Sequence, residues 1–132
     1  MNGERLFLKG ANLLPGKVAL ADVTPAESRR DIELAADAGL DALRVHGHIA
    51  PRTVYDAADE LGMLLLQDFP LQWGYARSIR GQAVTQARAA VDTLGHHPSI
   101  VQWNAHNEPA AVAVGIEGDG APSRLRYLAG QQ

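Results

Sequence analysis

Four short apolar runs, separated by three helical patterns that each close on a glycine, limit this chain to a small set of folds. Arg5 to Gly10 reads as the first strand, with Asn12-Leu13-Leu14-Pro15-Gly16 as the loop at its end. Thr24-Pro25-Ala26-Glu27 is a helix start with a mechanism: a Thr cap, a Pro at the first helical position and a Glu three residues after the cap. That helix should run to about Ala38, burying Ile32, Ala35, Ala36 and Leu40, with Gly39 as its left-handed stop. The second strand is Ala42 to His46. A second helix over Arg52 to Leu61 carries Val54, Ala57, Ala58 and Leu61 on one face and stops at Gly62. Met63 to Gln67 is the third strand, Gln82 to Leu94 the third helix with Gly95 as its stop, and Ile100 to Trp103 the fourth strand.

Apolar strands alternating with helices belong to a parallel sheet with right-handed connections, which makes the fold class α/β. A doubly wound sheet and a (β/α)8 TIM barrel both fit this pattern. No Gly-x-Gly-x-x-Gly follows any strand and no phosphate-binding Gly-Lys-Ser or Gly-Lys-Thr loop occurs, so the barrel is favoured. A full barrel needs roughly 250 residues, and this chain has 132. The expectation is a partial barrel of about the first four βα units. After Pro109 the pattern weakens: Ala110 to Val114 is apolar, Gly115 to Pro122 is loop-like, and Ser123 to Gln132 begins a helical stretch.

Composition removes several classes of partner and cofactor. The net charge is −3 with scattered Lys and Arg, so neither nucleic acid nor a membrane surface is expected to bind. There is no cysteine, which excludes disulfides, thiolate nucleophiles and Cys-ligated zinc. The longest apolar run, Met63 to Leu66, falls far short of the roughly 20 residues that cross a bilayer, and no signal peptide is evident. A cytoplasmic location is the default expectation, and no cofactor is expected.

Polar residues cluster where the strands end. Asn12 follows the first strand, Arg44 and His46 close the second, Asp68 follows the third, and Asn107 with Glu108 follows the fourth. In a parallel barrel these positions share the rim that carries the chemistry. An Asn-Glu pair just beyond a buried strand sets an amide beside a potential general acid, and Pro109 keeps the strand from continuing. Arg44 lies between Leu43 and Val45, so alternation points it inward, where it needs a carboxylate. Asp68 is the obvious choice, with an ion pair and a substrate role as equal readings. His46-Gly47-His48 could open a metal site together with His106, although Gly47 interrupts the strand. A polar rim histidine is the simpler reading. His96 and His97 read as loop or capping residues at the opposite end. Trp73 and Tyr75 could stack on a sugar ring or form an apolar lid.

The stretch from Asn2 to Pro109 resembles the catalytic barrel of glycoside hydrolase family 2, the group of β-galactosidases, β-glucuronidases and β-mannosidases. Leu8-Lys9-Gly10-Ala11-Asn12 looks like that family's barrel entry, and Leu43-Arg44-Val45 like its second-strand arginine motif. Tyr55-Asp56 through Asp59-Glu60-Leu61-Gly62-Met63 to Gln67-Asp68-Phe69 is closest to the mannosidase-like branch. His97-Pro98-Ser99-Ile100-Val101 through Trp103 to Asn107-Glu108-Pro109 is the most specific match. The resemblance implies hydrolysis of O-glycosidic bonds in carbohydrate metabolism, with Glu108 as general acid/base and Asn107 on the sugar hydroxyl next to the reacting carbon. Arg44, His46, Asp68 and Trp73 complete the expected substrate-binding set, with no metal.

A retaining glycosidase needs a second carboxylate about 5 Å from the first. From the residues alone Asp68 is the evident choice, but the resemblance implies a glutamate on a strand near the seventh. The expectation is therefore the N-terminal half of a barrel, residues 1–132, a fragment that lacks the nucleophile and is inactive by itself. Self-association through the exposed edges of the half barrel would follow. A metal-dependent hydrolase built on the His-x-His pair and a non-catalytic carbohydrate-binding or assembly module remain as alternatives.

Overall fold

A computed structural model describes residues 3–72 and 77–108. Its elements run β1 (Gly10–Leu13), α1 (Pro25–Asp37), β2 (Ala42–Val45), α2 (Arg52–Leu61), β3 (Leu64–Asp68), α3 (Arg80–Leu94) and β4 (Ile100–Asn104). All neighbouring strands pair in parallel, in the order β1-β2-β3-β4. A doubly wound sheet reverses its strand order at a switch point, whereas a barrel adds each new strand on the same side. The sequential order therefore decides between the two architectures left open by the apolar pattern. The residues after 108, and Trp73 and Tyr75, lie outside the described residues.

Local chemistry explains most element ends. The Thr24 hydroxyl accepts the Glu27 N–H at 3.2 Å, and the Glu27 carboxylate accepts the Thr24 N–H at 2.9 Å, closing a reciprocal cap in front of Pro25. Hydrogen bonds from Lys17 and Thr24 hold the Glu27 carboxyl down at about 2. Gly62 ends α2 at a φ of 71°, a left-handed conformation that costs glycine little. Gly95 ends α3 at a φ of −65° instead, with its N–H on the Val91 carbonyl, so its role there is not a left-handed stop.

The first strand departs from the expected position. It spans Gly10 to Leu13 rather than Arg5 to Gly10, and Asn12 sits within it, in register with Arg44. Leu6, Phe7 and Leu8 are exposed. Partnership decides the strand here, not apolarity: the Lys9 carbonyl accepts the N–H groups of Asp41 and Ala42, and the ladder starts from that point. A Cβ at position 10 would lie 2.8 Å from the Ala42 carbonyl oxygen, so the close approach of β1 to β2 needs glycine.

Alternation divides the sheet into two faces. Leu43, Val45 and Leu65 join Ile32 and Ala35 of α1, Val54, Tyr55, Ala57 and Ala58 of α2, and Leu94 of α3 in one core. Ala36, expected on the buried face of α1, is exposed, and Ser28 takes a buried place, accepting a hydrogen bond from Thr53 across the α1 and α2 contact. Arg44, Leu66 and Asp68 occupy the opposite face. Between β3 and β4 the register slips, Leu65 facing Ile100 and Leu66 facing Gln102, so that Val101 is the extra residue of a bulge. Because Leu65 is fully buried at the centre of the core, Leu65→Ala should lower unfolding free energy by about 3 kcal/mol. Urea denaturation should show this as a lower midpoint with an unchanged slope.

Candidate functional site

At the C-terminal ends of the strands, one carboxylate gathers the polar residues. Asp68, the last residue of β3, is fully buried. Its Oδ1 accepts Arg44 Nε at 3.0 Å and Asn104 Nδ2 at 2.8 Å, and its Oδ2 accepts Arg44 Nη2 at 2.7 Å and the Gly47 N–H at 3.1 Å. His46 Nδ1 stands 3.4 Å from the same Oδ2. Burial pushes the Asp68 carboxyl up, but the hydrogen bonds from Arg44, Asn104 and Gly47 outweigh it and hold the group below its ordinary value of 3.8. The inward arginine thus has its carboxylate, as alternation required.

Arg44 also reaches β4's continuation, since its Nη2 donates to Asn107 Oδ1 at 2.7 Å. Asn107 is itself buried, and its N–H donates to the Leu71 carbonyl at 2.8 Å. Two flanking segments therefore hold the amide in place, one through the side chain and one through the backbone. The next residue, Glu108, is exposed and is the only described non-glycine residue with a positive φ, at 47°. Such a conformation costs of the order of 1 kcal/mol and persists where its surroundings impose it. Hydrogen bonds to Asp68 are the main reason that Arg44 stays above its ordinary value, and the charge of Glu108 adds to them.

Arg44, His46, Asp68, Asn107 and Glu108 thus share one end of the sheet, while Trp73 lies outside the described residues. His46 and His48 do not form a side-by-side pair. Gly47 turns the chain at a φ of 69°, and His48 is buried with its Nδ1 3.0 Å from the His46 carbonyl. Among the described residues no group of three or more His, Asp and Glu is arranged to hold a metal ion. No described helix is long and apolar enough to cross a membrane.

Four contributors escape a reading of the sequence. Asn104 ends β4 and faces Asp68, a position visible only once the bulge is placed. Gln67 and Tyr55 meet inside the core, the Tyr55 hydroxyl donating to Gln67 Oε1 at 2.7 Å. His97, expected as a loop or capping residue, is buried at the other end of the sheet. Its Nδ1 lies 2.6 Å from Asp59 Oδ2 of α2, and Asp59 Oδ1 accepts the Ser99 N–H at 3.0 Å, tying the entry of β4 to that helix.

No family model matches the chain. It is 34% identical over 120 residues to a β-mannosidase of Bos taurus, an alignment covering 84% of this chain and 13% of that protein. Among solved structures, a β-D-mannosidase from Dictyoglomus thermophilum matches with a TM-score of 0.75 and 29% identity over 82% of this chain and 14% of that one. A glycosyl hydrolase family 2 member from Bacteroides cellulosilyticus matches with a TM-score of 0.71 and 28% identity, over 80% of this chain and 15% of its own. The chain spans about an eighth of the length of the curated relatives that it matches. These barrel neighbours make the four-stranded sheet a partial TIM barrel.

Removing Arg44 leaves Asp68 buried with two donors fewer, so Arg44→Met should cost about 3 kcal/mol at neutral pH. The folded state binds the Asp68 proton less tightly than the unfolded chain, so this stabilisation is present above about pH 4 and is lost as pH falls through the lowered value. Chemical denaturation of both proteins across that range should show the gap narrowing with acid.

Proposed function

We propose that this chain, which carries the sequence and fold of part of a mannosidase-like glycoside hydrolase family 2 catalytic barrel, supplies the general acid/base side of a retaining β-glycosidase site. The observation that carries this reading is the Asn107-Glu108 pair at the end of β4, with the amide clamped by Arg44 and the carboxylate exposed beside it. In such a reaction the Glu108 carboxyl gives its proton to the glycosidic oxygen as the bond to the anomeric carbon breaks, and a second carboxylate attacks that carbon from the opposite face. Glu108, now ionised, then takes a proton from the water that releases the sugar.

Asp68 does not suit the second role. It is fully buried, and both of its oxygens already accept hydrogen bonds. Its proposed part is to fix Arg44, and through Arg44 the Asn107 amide. With Asn107 Oδ1 taken by Arg44, the Nδ2 hydrogens serve the hydroxyl beside the reacting carbon. Arg44, about one-third exposed, and His46 present further donors to the sugar. The nucleophile is a glutamate supplied from outside residues 1–132, and a β-mannoside is the substrate that the relatives' names favour.

Mannono-1,5-lactone mimics the flattened ring of the oxocarbenium-like transition state. Titrated into 15N-labelled chain, it should shift the amides of residues 44–47 and 104–108. Shifts confined to the far end of the sheet, or none, would overturn the assignment. Purified chain should also give no turnover of an aryl β-mannoside, and hydrolysis with retention would show that the acid/base half is not all it supplies.

A further inference from the structure

Gln67 is a fully buried amide in a row of apolar strand residues. Leu65 precedes it on the same face, and Val45 is its partner across the sheet. An apolar side chain would fill that position without the cost of burying a polar group. Every polar atom of the amide is nevertheless used. Oε1 accepts the Tyr55 hydroxyl at 2.7 Å, while Nε2 donates to the His48 carbonyl at 2.8 Å and to the Asp68 carbonyl at 2.6 Å. The Tyr55 hydroxyl in turn accepts the Ala50 N–H at 3.0 Å. Burial pushes that hydroxyl up to about 12, so it keeps its proton and the chain of donors keeps its direction.

These bonds converge on the turn from His46 to Ala50, which joins β2 to α2. From the core side, Gln67 takes the carbonyl of His48 and Tyr55 takes the N–H of Ala50. From the other side, Asp68 takes the N–H of Gly47. Residues 67 and 68 point to opposite faces because they are neighbours in a strand, so consecutive positions of β3 grip one turn from below and above. At Gly47 the φ is 69° and the Gln72 side chain occupies the place of a Cβ, which leaves the turn little freedom to relax.

We infer that Gln67, braced by Tyr55, is a positioning residue for the sugar-facing rim: it holds the 46–50 turn so that the Gly47 N–H and the His46 ring stay on Asp68. Asp68 then keeps Arg44 aligned on Asn107, next to Glu108. The inference deepens the glycosidase reading and rests on it for its sugar-facing part, while the link from Gln67 to Asp68 stands on geometry alone.

The test uses the whole chain with Tyr55→Phe, which keeps the ring in the core, and Gln67→Met, which keeps the side-chain length. NMR follows the Gly47 amide proton and the Asp68 carboxyl carbon through an acid titration, then the binding of mannono-1,5-lactone. In the unmodified chain the Gly47 proton should titrate together with Asp68. In either variant that still folds, it should move upfield and stop following Asp68, Asp68 should titrate closer to the ordinary carboxylate range, and the lactone should bind about tenfold more weakly. A purely core-filling role would lower the melting temperature and leave Gly47 and Asp68 as they were, which would overturn the inference. Coupled titration in the unmodified chain without lactone binding would instead sink the glycosidase reading and the sugar-facing part with it.

Discussion

The buried carboxylate of Asp68 organises this end of the molecule because a charge without water must be met by donors from its surroundings. Here the donors come from β2, from the turn after β2 and from β4. None of these segments can shift without leaving the charge short of a partner. The pairing also explains why an arginine can stand on an inward strand face. Arg44 is planar and forked, so it meets both oxygens of Asp68 and still reaches Asn107 with the same Nη2. A lysine at that position could not span the two groups in this way. The candidate acid is thereby attached to the sheet through a short chain of charge-assisted bonds, which are stronger and more directional than neutral ones.

Much of this was legible in the residues. The Thr24 cap, the glycine stop at Gly62 and the bounds of α2 follow from rules that involve only a few neighbouring residues, and the structure reproduces them. The rim positions Arg44, His46, Asp68, Asn107 and Glu108 were also readable, since polar residues at the ends of apolar strands leave few other places to go. The misplacement of β1 has a different origin. Its sequence is less apolar than the stretch before it, and only the ladder with β2 identifies it as the strand. Gln67, Tyr55 and His97 were missed because each owes its role to a partner on another element or turn, His48, Gln67 or Asp59, and spacing along one element cannot reveal such a pairing.

Polar chemistry is distributed between the two ends of the sheet in different ways. At the rim, donors converge on one carboxylate and leave neighbouring groups exposed to a ligand. At the other end, Asp59 takes the backbone and side chain of the segment entering β4, and the Tyr55 ring lies against His97 at 5.4 Å between centroids. Tyr55 thus touches both systems, its ring toward the entry of β4 and its hydroxyl toward the turn after β2. One residue of α2 couples the placement of the strand that leads to Glu108 with the placement of the turn that faces Asp68.

The bulge between β3 and β4 sets the parity of everything downstream. Were β4 paired regularly from Ile100, with Val101 opposite Leu66, Asp68 would lie opposite Trp103 instead of Asn104, and an indole would face the carboxylate while an amide entered the apolar layer beside Phe69, where Trp103 now stacks. The bulge therefore decides which of β4's side chains face Asp68 and which pack against the core. Length in this strand carries information that composition does not: the five residues of β4 span four positions of β3, and that mismatch brings the amide of Asn104, not the indole of Trp103, to the buried carboxylate.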